Sequence, residues 1–76
     1  MTDGEWQDQV KGLLKAELKK KGVSYRDLAD KLTAMGIPET ERNISNKLSR
    51  GSFTAVFFVQ CLRAIGTHIM RIHEAD

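Results

Sequence analysis

Four glycines, Gly22, Gly36, Gly51 and Gly66, stand at near-regular intervals, and each closes an amphipathic or apolar stretch. Glycine just past the last periodic residue is where a chain turns out of a helix. The spacing therefore predicts a series of short helices joined by tight connections. The first stretch runs from about Glu5 to Lys21, with Trp6, Val10, Leu13, Leu14 and Leu18 on one face and Lys19, Lys20 and Lys21 in the last turn. Positive charge there suits the helix dipole. The second opens at Ser24, a good cap, with Asp27 three residues on in a capping-box pattern. Leu28, Ala29, Leu32 and Met35 mark its inner face, and Gly36 ends it.

A connector, Ile37-Pro38, follows, because proline biases the residue before it away from helix. The third stretch ends at Arg50 and begins either at Pro38 or with Thr40 as cap. Beyond the connector its only apolar residues are Ile44 and Leu48, one turn apart. It buries a narrow stripe and presents a broad polar face. The fourth stretch, Phe53 to Ile65, is the opposite: only Thr54, Gln60 and Arg63 are polar. So small a domain has too few neighbours to cover such a helix on every side. Phe58 and Cys61 in it, with Ile69, Met70 and Ile72 in the tail after Gly66, are the expected homodimer interface. One of Phe53, Phe57 and Phe58 should face that interface, and Trp6 should cover the bottom of the core. Residues 67–73 read either as a short strand or as a further helix.

The length permits one domain, residues 1–76, with acidic tails at 1–5 and 74–76. A chain of this size buries only about 60–65% of its unfolded surface, so its core is marginal. Charge is unevenly placed. All twelve basic residues lie between Lys11 and Arg71 with five of the ten acids, a net +7 in a chain of net +2. A compact basic body is the electrostatic footprint of a nucleic-acid binder, although solvated lysines are also ordinary surface.

The single cysteine, Cys61, excludes an intrachain disulfide and points to a cytoplasmic setting. Inside an apolar helix it reads as a small buried hydrophobe and not as a nucleophile. No run approaches the ~18 apolar residues of a membrane span, and the polar N-terminus is unlike a signal peptide. His68 and His73 are poorly spaced for a shared metal. Without a catalytic constellation or phosphate loop, the expectation is a non-enzyme with no cofactor, metal or membrane partner.

The segment Leu14–Leu32, a basic helix ending in Gly22 and then a Ser24-capped helix with Leu28-Ala29, resembles the start of lambda-repressor-like (Xre-type) helix-turn-helix domains. Asn43-Ile-Ser-Asn-Lys-Leu-Ser-Arg-Gly51 resembles their recognition helix, and the apolar helix after Gly51 matches in order. The whole chain is still more similar to short bacterial proteins with an uncharacterised domain of this kind. Two features depart from the pattern: a longer turn from Thr33 to Thr40, and Glu39 and Glu41 near the start of the third helix, where acids would repel phosphates.

The resemblance implies an all-α fold of four to five short helices, with or without a C-terminal strand pairing across a dimer. It implies sequence-specific binding of double-stranded DNA by a small homodimeric bacterial transcriptional regulator. The alternative is a non-catalytic protein-interaction domain that keeps the fold. On the DNA reading, Arg42, Asn43, Asn46 and Lys47 contact base edges, since Asn pairs with adenine and Arg or Lys with guanine. Ser24, Tyr25, Arg26, Lys19, Lys20, Lys21 and Arg50 then contact phosphates.

Overall fold

The computed structural model describes residues 1–72 and shows four helices: α1 (Asp3–Lys21), α2 (Tyr25–Ala34), α3 (Glu41–Arg50) and α4 (Ala55–Ala64). None is long and apolar enough to cross a membrane. Each start is set locally by a hydroxyl cap. Thr2 Oγ1 accepts from the Glu5 N–H at 3.2 Å while the Thr2 N–H donates to Glu5 Oε1 at 2.9 Å. Those bonds to Thr2 hold the Glu5 carboxyl below its ordinary range. Ser24 and Asp27 form the same reciprocal box at α2. Thr40 caps α3 through the Asn43 N–H, so Thr40 and not Pro38 starts that helix. Thr54 caps α4 in the same way.

α1 begins two residues before the expected Glu5, so most of the anticipated N-terminal tail is helical. The expected tail 74–76, and His73 with it, lies outside the described residues. Beyond Gly66, residues 67–72 form neither the strand nor the further helix, leaving four helices among the described residues.

The helices close a ring of contacts in which α2 packs on α3 and α4, and α1 packs on the same two. Leu14 and Leu18 of α1, Leu28 and Leu32 of α2, Ile44 and Leu48 of α3, and Phe57 and Cys61 of α4 meet in one core. Pairs three or four apart within each helix point to a common side, which is why a narrow stripe on α3 suffices. Trp6 departs from expectation. It is 54% exposed and stands beside the core instead of covering it.

Cys61 is fully buried, and burial, followed by the nearby Glu39 charge, pushes its thiol up to about 12. It cannot belong to a subunit interface. We expect a thiol reagent at about pH 8 to leave the folded protein unmodified and to label Cys61 rapidly in denaturant. Equal rates in both states would place the thiol at the surface.

The turn between α2 and α3 is long but anchored. Ile37 packs against the core, and the Ile37 N–H donates to the Leu32 carbonyl at 3.0 Å. The Glu39 carboxylate reaches inward, with its side chain only 5% exposed.

Candidate nucleic-acid interface

α3 is held by its apolar edge, and the opposite edge faces solvent. Arg42, Asn46 and Arg50, four residues apart, form one row of exposed side chains. Asn43 is exposed on the flank of that row. Lys47 is half-buried and its ammonium is already paired. Its Nζ donates to Glu39 Oε2 at 2.8 Å and sits 4.4 Å from the centre of the Phe57 ring. The ammonium is paired with a carboxylate and rests on an aromatic face, so although its side chain stays 43% exposed, a base contact by Lys47 would have to break that pair. The same pair neutralises Glu39, removing one of the two acids that the sequence set against phosphate.

Tyr25, the first residue of α2, borders two shallow hollows. One is lined by Thr40, Glu41, Arg42, Ser45 and Asn46 of the α3 side. The other is lined by Lys15, Leu18 and Lys19 of α1 with Val23 and Ser24. Tyr25 thus joins the basic flank of α1 to the polar face of α3. Between them lies the α2 N-terminus, where the N–H groups of Tyr25 and Arg26 have no acceptor in the preceding turn. The Ser24 oxygen is occupied as a cap, but its hydroxyl proton remains able to donate outward. Arg26 is exposed beside it.

The three expected lysines do not share one face. Lys19 is on this face, while Lys20 lines a different hollow with Met70 and Arg71, and Lys21 is exposed at the end of α1. Ser45, half-buried in the α3 hollow, belongs to the surface and was not singled out from sequence. Its spacing of three from Arg42 was the available signal, but an isolated serine looks the same on any solvated helix. Glu41 also lines the hollow, so a negative charge sits within the candidate interface.

The residues expected at a subunit interface also divide. Phe58 is half-buried, packed at 6.2 Å from Phe53 in a stacked arrangement, and lines an open apolar groove between α1 and α4. Ile72 lines the same groove and is 72% exposed, Ile69 is 85% exposed, and Met70 is half-buried against α1. Cys61 faces the interior instead.

A family model described as a domain of unknown function, DUF6471, matches residues 6–70. No curated protein and no solved structure matches the chain.

Proposed function

The chain belongs to the DUF6471 family, a membership that assigns no chemistry, and from its own surface we propose that it binds double-stranded DNA. The observation that carries the reading is the continuous face from Lys15 and Lys19, across Ser24 and Tyr25, to Arg42, Ser45 and Asn46. Charge and donors are arranged along it as duplex recognition requires. Lysines and the α2 N-terminal amides suit phosphate oxygens, and the outer row of α3 suits base edges. α2 and α3 pack directly on one another, which is the pairing a helix-turn-helix needs. Asn46 lies at the middle of that row and would pair with adenine, while Arg42 would pair with guanine. Glu41 fits as an acceptor for the cytosine amino group. A role as a small bacterial transcriptional regulator follows from this reading.

The test is selection of binding sites from random duplexes at two salt concentrations. One enriched motif, with affinity falling as salt rises, is the expected result. Asn46→Ala removes an exposed side chain, and it should cost about 1–3 kcal/mol on the enriched site and less on random DNA. Equal losses on both would confine α3 to backbone contact. Absence of any enriched motif would favour the second reading, a protein-interaction domain, which the exposure of Trp6 beside an apolar groove supports.

A further inference from the structure

The groove between α1 and α4 has two matching walls. On α1, Trp6, Val10 and Leu13 recur at offsets of four and seven. On α4, Ala55 and Phe58 line the groove, and Val59 and Leu62 continue their stripe at the offsets of a helix-packing seam. Val59 is 54% exposed and Val56, on the outer edge of the same face, 66%.

The direction of the two helices gives the groove a polarity. Gly51, just before α4, abuts the Gln7 backbone in the early turns of α1. Thr67, just after α4, donates to Glu17 Oε2 at 3.2 Å farther along α1. α1 and α4 therefore run in the same sense. One end of the groove carries Asp3 and Glu5, and the other carries Arg63, Arg71 and Lys20 with the single acid Glu17 among them, which accepts from Thr67.

We propose that a second copy of this chain docks on this groove, the two α4 helices packing antiparallel about a two-fold axis near Phe58 and Val59. A two-fold contact must use one self-complementary patch, and the apolar seam of α4 offers one on both copies. Antiparallel docking sets the acidic end of each groove against the basic end of its partner. Trp6, Val56, Val59 and Ile72 are each more than half exposed. They leave on the order of 500 Å² of apolar surface per copy, close to the apolar share of the ~800 Å² that each side of a standard interface buries. The dimer stands on this face alone and does not depend on whether α3 reads DNA.

Sedimentation equilibrium without DNA, over about a hundredfold range of concentration, tests it. The expected mass rises to twice the 8.6 kDa of the chain. Val59→Glu alters an exposed position, so it should leave the helical signal intact and raise the dimer dissociation constant about tenfold or more. Arg63→Glu should weaken the dimer about threefold at low salt, Asp3→Lys in the same chain should restore it, and high salt should erase the difference. A single-chain mass throughout would overturn the proposal. So would a dimer indifferent to Val59→Glu, or a charge-swapped double variant no tighter than Arg63→Glu alone.

Discussion

Gly51→Ala should cost the domain about 2–4 kcal/mol and lower its thermal midpoint by roughly 10 °C or more. Two effects coincide at this residue. Its φ is +68°, where an L side chain is strained by about 1–2 kcal/mol. In addition, a β-carbon there would lie 2.9 Å from the Gln7 carbonyl oxygen, a backbone atom that cannot swing aside. Gly22 separates the two effects, because its φ of +67° is nearly identical and nothing lies within 4 Å of its would-be β-carbon. Gly22→Ala should therefore show the backbone strain alone. The measurement is chemical denaturation of both variants beside the parent. Equal losses would mean that α1 gives way at Gln7 without cost. The position also bears on function, since Gly51 sets the end of α3 and the start of α4 against α1. A shift there would move the exposed row of α3 and the groove together.

Lys47→Met is the second large effect, at about 2–3 kcal/mol. Its partner, the Glu39 side chain, is 5% exposed, so removing the ammonium leaves a carboxylate with little water to replace it. The loss stays below the 3–5 kcal/mol of a fully buried pair because the Lys47 side chain is itself 43% exposed. Methionine retains the unbranched stem beside Phe57, so the change reports mainly on charge. Adding Glu39→Gln should recover most of the loss, since it removes the unpaired charge. A double variant as unstable as Lys47→Met alone would show that packing and not pairing is at stake. On the proposed DNA-binding reading, any Lys47 variant should also weaken binding simply by loosening α3. A binding defect there is no evidence of a base contact unless it is corrected for the folded fraction, whereas Asn46 carries no such ambiguity.

How much of this was legible from the chain follows the range of the forces involved. Helix stops and the start of α2 were readable because they are decided within about four residues, whereas the start of α3 stayed open between Pro38 and Thr40 and that of α1 was placed two residues late. Ser24 with Asp27, and Gly22 after three lysines, specify their own caps whatever the rest of the chain does. The same holds for the inner stripes, where Leu28/Leu32 and Ile44/Leu48 have only one side to turn inward. Four helices, their order and the polar outer row of α3 came from such local rules.

Only the tertiary structure decided which polar and apolar residues remained outside. Lys47 shares a helix with Asn43 and Asn46, and its spacing looks equally suited to a groove of DNA. It is drawn aside because a carboxylate eight residues earlier, just after Pro38 and ahead of α3, is brought within 2.8 Å. Trp6 has the periodicity of a core residue, yet the neighbours that would cover it end at Phe53 and Phe58, and it is left at the rim of a groove. Cys61 and Phe58 are equally apolar members of α4, and only the positions of α1 and α2 send the first to the centre and the second to the edge. Periodicity fixes which residues share a face of one helix, but the coverage of that face depends on how many other helices reach it.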